Sequence, residues 1–359
     1  MTACCGSGKG CRGGGLFRAR CENLIPASGG WAGSCVHWLV VVVKAIQRVK
    51  TGQTEQEIRL RERFEHLLLR AVAGTVGVLP RSAARAMGAG LGAVVWALMS
   101  RLRRVGMRNL KMALPEKTEK ERRRILREQF RSLGWQMGEF CKMSGYTAEE
   151  ASRFIRYQGL EHYLAARAKG KGVLVLTGHL GAWELSSFYH SLMGYPMSLV
   201  IRRLDNPLVD AYVNRIRCLH GNRVIHKDDF ARGLLTAMQQ GETVGILMDT
   251  NMTPPQGVFV PYFGVEACTG SAMARVALHS GAAVLPGFLL WEKAEQRYVL
   301  HFGQELQLIR TGDAARDTVA NTAMFTAAIE SYVRRYPEQW LWVHRRWKTR
   351  PEGQERIYQ

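Results

Sequence analysis

Acidic residues are scarce in this chain: 30 Asp and Glu stand against 50 Lys and Arg, a formal charge of +20 with a pI near 10. Such a deficit implies an anionic partner: nucleic acid, an acidic lipid surface, a phosphorylated substrate or an acidic carrier protein. The modules that read nucleic acid are also missing. There is no helix-turn-helix spacing, no zinc-finger spacing and no RNP-like run, so a nucleic-acid partner is not expected. Cysteine is sparse beyond the first tenth of the chain. Cys4, Cys5, Cys11, Cys21 and Cys35 crowd the beginning, while Cys141, Cys218 and Cys268 stand singly without metal-ligand or redox spacing. That pattern suits a reducing compartment and offers no metal site. Long apolar runs are lacking too. The run 35–43 falls short of the roughly 20 residues that span a bilayer, and no small-residue cleavage site follows it. No G-x-S-x-G elbow occurs, which removes the usual serine nucleophile of acyl transfer.

What is present divides the chain into four parts. Residues 1–60, rich in Gly and Cys, read as a disordered extension or a start placed too early. Residues 61–115 are apolar and helical in pattern: 67–79 is uncharged apart from Arg70, Pro80 interrupts, and 86–99 is uncharged before Arg101, Arg103 and Arg104. Neither stretch is long enough alone, but together they predict a helical hairpin or one broken membrane helix that anchors the chain. The alternative is a helical pair buried in the fold. The cationic flank suits an anionic leaflet, where each nearby Lys or Arg contributes about 1 kcal/mol. Residues 116–350 read as the α/β domain and 351–359 as a tail. In the α/β part, Thr118 and Glu121 form a capping box before a helix whose apolar face carries Leu126, Phe130, Leu133, Met137 and Phe140. Short apolar runs at 173–176, 197–201, 243–248 and 283–290 alternate with helical stretches near 184–193, 207–219, 229–240 and 270–280. Alternation of this kind predicts an α/β fold, a largely parallel central sheet flanked by helices.

The stretch Thr177-Gly178-His179-Leu180-Gly181-Ala182-Trp183-Glu184 reads as a strand end, a tight turn and a helix start. On one helix a five-residue offset would leave His179 and Glu184 about 140° apart. His179 is therefore expected before the helix, with Glu184 reaching back from it to hold the imidazole as a general base. With no nucleophile of its own, the chain would activate a hydroxyl of the substrate. Arg202 and Arg203, at a second strand end before the Asn206-Pro207 helix start, suit a phosphate or a developing oxyanion. Asp249 lies at a third strand end, where it could pair with an arginine or cap a turn. In parallel sheets ligands gather at these carboxyl ends.

Four motifs occur in order: His179 to Glu184; Arg202-Arg203-Leu204-Asp205-Asn206-Pro207; the run from Gly257 to Gly264 followed by Thr269; and Pro337-Glu338-Gln339-Trp340-Leu341-Trp342-Val343-His344-Arg345-Arg346-Trp347. With Leu79-Pro80-Arg81 and Arg108-Asn109-Leu110, they make residues 62–350 resemble the bacterial lipid A biosynthesis acyltransferases, the lauroyl and myristoyl transferases of late acylation. The resemblance implies an enzyme on the cytoplasmic face of the inner membrane that needs no metal or cofactor. Its donor would be an acyl carrier protein thioester, its acceptor a hydroxyl of a lipid A precursor. His179 would be the base, Glu184 its orienting partner and Arg202 an oxyanion or phosphate ligand, with Arg203, Asp249 and Asn206 contacting substrate. Acyl-CoA donors, other glycolipids and lysophospholipid acceptors remain open alternatives, as does a catalytically idle basic membrane protein. Trp340, Trp342 and Trp347 are expected in the core or at a membrane edge.

Overall fold

The computed structural model describes residues 55–226 and 230–358. The extension read from the sequence, with its cysteine cluster, lies outside the described residues up to position 54. Three helices lead: α1 (Glu55–Val78), α2 (Arg81–Leu98) and α3 (Ser100–Ala113). Pro80 marks the α1–α2 break, as its missing N–H and fixed φ require. No single described helix is long and apolar enough to cross a membrane, and α2 and α3 form a pair bent by 90°. No unbroken spanning helix occurs among the described residues, and α2 buries one face in the protein. Ala84, Gly88, Gly92 and Val95, at helical spacing, pack on α4 (Glu119–Lys142). The crossing is so close that a Cβ on Gly88 would lie 2.0 Å from the Gly134 carbonyl oxygen. Arg81 forks onto the buried Glu139 of α4 at 2.6 and 3.2 Å, fixing the start of α2. Leu60, Phe64, Leu67 and Leu68 of α1 and Met87, Val94 and Leu98 of α2 remain exposed.

The capping box of α4 is present, Thr118 accepting from the Glu121 N–H while Glu121 accepts from the Thr118 N–H. Leu126, Phe130, Leu133 and Phe140 are buried as their spacing predicts, and Met137 is half-buried. A short helix α5 (Ala148–Phe154) leads into the α/β domain. The chain then runs β1 (Ile155–Gln158), α6 (Leu160–Ala168), β2 (Val173–Thr177), α7 (Trp183–Leu192), β3 (Ser198–Ile201), α8 (Pro207–Arg217), β4 (Arg223–His226), α9 (Phe230–Gln239) and β5 (Thr243–Leu247). A hairpin of β6 (Gly257–Tyr262) and β7 (Val265–Gly270) follows. Then come α10 (Ala272–Ser280), β8 (Ala283–Glu292), β9 (Arg297–Phe302) and α11 (Ala314–Arg335).

The main sheet has the order β1-β9-β8-β2-β5-β3-β4. Strands β8, β2, β5, β3 and β4 are mutually parallel, and β9 with β1 runs the other way. The α/β class and mostly parallel sheet agree with the sequence expectation. Strands β1, β4, β9 and the β6–β7 hairpin were not anticipated. Alternate residues of β2 feed two cores: Leu174 and Leu176 one, Val173 and Val175 the other. A strand buried on both faces is an unbroken apolar run. Trp340, Trp342 and Trp347 are all buried, so none of them forms a membrane-edge belt.

Candidate active site

Strand register assembles the site. Thr177 of β2 pairs with Leu247 of the adjacent parallel strand β5, and the ladder continues one step as Met248 N–H donates to the Thr177 carbonyl at 3.0 Å. His179 lies two residues past Thr177, and Asp249 lies two past Leu247. Equal overshoot from paired positions brings them side by side. The His179 Nδ1 to Asp249 Oδ1 distance is 2.8 Å, and the His179 backbone N–H donates to Asp249 Oδ2 at 2.7 Å. Glycine makes the approach possible. A Cβ on Gly178 would stand 3.0 Å from the Asp249 carboxylate, and one on Gly181, at φ +66°, would stand 2.0 Å from the Leu289 carbonyl oxygen.

An ionised carboxylate only accepts hydrogen bonds, so Nδ1 carries the imidazole hydrogen and Nε2 keeps its lone pair. Burial alone would raise the Asp249 carboxyl. The charge His179 carries whenever its ring is protonated, with hydrogen bonds from His179 and Trp340, outweighs it, holding the carboxyl down at about 2. The result is a buried, ionised acceptor behind a histidine poised for proton transfer.

Glu184 is placed elsewhere than expected. It forks onto Arg217 of α8, Oε2 to Nε at 2.9 Å and Oε1 to Nη2 at 2.5 Å, with both side chains buried. The expectation that Glu184 holds His179 is therefore corrected: Asp249 fills that place. As the second residue of α7, Glu184 is directed at the neighbouring helix, and its carboxylate is taken up by the guanidinium. Arg217 sits in a helix with no motif around it, so no local sequence signal points to it. Asn206 is also reassigned. It caps α8, accepting from the N–H groups of Leu208 and Val209, and donates to Glu62 and Glu65 of α1. Its hydrogen-bonding capacity is committed to the fold rather than to a substrate. Arg202 lines the site and is exposed, whereas Arg203 is exposed outside the lining.

His179, Trp183, the Glu184–Arg217 pair and Arg202 border a cavity of about 440 Å³, within the range that takes small ligands. Its depth is apolar. Val175, Met197, Leu199 and Ile246 line it, together with Gly245 and Gly287. The turn carrying His179 is clamped by the C-terminal segment. Gly181 N–H donates to the Gln339 carbonyl and Leu341 N–H to the His179 carbonyl, both at 3.0 Å, and Trp340 Nε1–H reaches Asp249 Oδ2 at 2.7 Å. The last of the sequence motifs is thus a brace for the first.

The family described as bacterial lipid A biosynthesis acyltransferase matches residues 53–349. The chain belongs to that family. It is 30% identical over 280 residues to the lipid A biosynthesis lauroyltransferase of Escherichia coli K12, covering 77% of this chain and 88% of that enzyme. It is 28% identical over 273 residues to the palmitoleoyltransferase of the same organism, covering 76% and 87%. The myristoyltransferase of that strain is 25% identical over 256 residues, covering 71% and 78%. As a lipid A biosynthesis acyltransferase by family, the chain is an acyl-transferring enzyme, and the resemblance read from its motifs holds over most of its length.

Proposed function

We propose that this acyltransferase moves a fatty acyl group from an acyl carrier protein thioester to a hydroxyl of a lipid A precursor, a late acylation. The observation that carries the proposal is the His179–Asp249 pair at the head of an apolar cavity. His179 Nε2 takes the proton of the acceptor hydroxyl as its oxygen attacks the thioester carbonyl. Asp249 stabilises the imidazolium that forms. Arg202, which borders the same cavity, meets the oxyanion or an adjacent phosphate in this reading. Collapse of the tetrahedral intermediate breaks the carbon–sulfur bond, and the imidazolium returns the proton to the departing thiolate. The apolar depth suits a hydrocarbon chain, and no cofactor is required for this chemistry.

The exposed face of the leading helices supports work at a membrane surface. Leu60, Phe64, Leu67 and Leu68 form one stripe of α1, and Met87, Val94 and Leu98 one of α2, all exposed. Arg101, Arg103 and Arg104 follow directly. Apolar insertion beside cationic contact is the chemistry of an interfacial anchor, here to the cytoplasmic face of the inner membrane.

The test is an in vitro panel of acyl carrier protein and acyl-CoA donors against lipid A precursors and lysophospholipids, read by product mass. Acylated lipid A precursor from the carrier-protein donor is expected, with His179→Ala slower by roughly 10²–10⁴-fold. Product from lysophospholipid alone would overturn the proposal.

A further inference from the structure

Asp249 accepts three hydrogen bonds, and one comes from neither the base nor a backbone group. The Nε1–H of Trp340 donates to Oδ2 at 2.7 Å, the same oxygen that takes the His179 N–H, while Oδ1 faces His179 Nδ1. Indole nitrogen is only ever a donor, so this bond holds only while the oxygen stays unprotonated. The ring is locked in place. It is 1% exposed and stands edge-on to Trp342 at 4.6 Å and to Tyr262 at 5.5 Å. Its backbone forms a bridge with Leu180, beside His179.

We propose that Trp340 is a positioning residue for the transfer step, one that sets how strongly Asp249 pulls on the proton of His179. The proposal rests on the reading of His179 as general base. Each donor to a carboxylate spreads its charge and makes it less basic. With Oδ2 occupied by Trp340, Oδ1 orients the imidazole without gripping its protonated form so tightly that the proton cannot pass on. Other groups facing the pair come from several elements. His344, on the same segment, accepts the Asn251 N–H at Nε2, and Arg346 donates to the carbonyls of Thr250 and Cys268. Tyr262 packs from the hairpin. Glu184, Arg217, Arg202 and Arg275 border the same cavity. Among the described residues, only Trp340 adds a side-chain donor to the Oδ2 atom.

The experiment compares pH profiles of kcat/KM for the wild type, Trp340→Phe, replacement of Trp340 by benzothienylalanine, and His179→Ala. Benzothienylalanine puts sulfur where the N–H was and keeps the ring's shape. It decides the matter if Trp340→Phe fails to fold. Without the donor, the imidazole holds its proton to higher pH. The acid limb is expected to move up by about 0.5–1 unit while the plateau falls less than about threefold. A role in packing alone would lower the rate at every pH and leave the limb in place. An inactive His179→Ala with unmoved limbs in the folded Trp340 variants overturns this inference. An active His179→Ala overturns the reading of the base and the inference with it.

Discussion

At the residue scale the two carboxylates near His179 do different work, and substitution should separate them. Asp249→Asn would present an amide where Nδ1–H needs an acceptor, favouring the wrong tautomer, so kcat is expected to fall by roughly 10²–10⁴-fold. Glu184→Gln instead leaves the buried Arg217 guanidinium without its counter-charge. A loss of about 3–5 kcal/mol in stability is expected, read by denaturant unfolding. Unchanged stability in Glu184→Gln would discard the structural role given to that pair. Two other histidines bear on acid stability. Burial, with the nearby Arg167 charge, holds His190 down at about 3, and burial, with the His179 charge, does the same to His344. Both stay neutral in the fold, whereas the unfolded chain takes up their protons below about 6.5. Stability is therefore fully present above that pH and declines as pH falls from about 6.5 toward 3, by up to about 1.4 kcal/mol per pH unit for each histidine. Melts between pH 7 and 4.5 would show it, and a flat stability over that range would contradict it.

At the scale of elements, helices and strands with strong local signals were legible in the sequence, while their neighbours were not. The Thr118 box and the Asn206-Pro207 start are written in adjacent residues, and both caps form. Likewise the four anticipated strands stand as apolar runs. Strands β1 and β4 have exposed or half-buried positions that break the apolar pattern, so nothing in them announces a strand. The pairing of His179 with Asp249 was hidden for a related reason. It depends on β2 lying beside β5, and sheet order is set by long-range packing rather than by any local run. Proximity in sequence favoured Glu184; proximity in space selects Asp249. The packing of α2 on α4 carries its own prediction. Gly88→Val would force side-chain atoms into the Gly134 backbone, with an expected loss of about 1–3 kcal/mol or more, measured by denaturant unfolding. A variant of wild-type stability would show that the helices can separate at no cost.

At the scale of the molecule, the leading helices carry exposed apolar side chains and the strand ends carry the chemistry. Phe64→Glu with Leu67→Glu and Leu98→Glu would put carboxylates on side chains that are 55%, 62% and 77% exposed. Binding to anionic vesicles is expected to fall at least tenfold in a sedimentation assay with the fold intact, and wild-type binding to weaken with added salt. Undiminished binding would overturn the proposed anchoring by α1 and α2. The C-terminal segment has a different consequence. Trp340 completes the Asp249 site, and Tyr358 donates to Asn109 of α3 while accepting from the Trp347 N–H. The segment that finishes the active site thus lies far along the chain from the helices that lead it. Synthesis therefore delivers α1, α2 and α3 well before the segment that completes the Asp249 site, and that site can form only once residue 340 has been made.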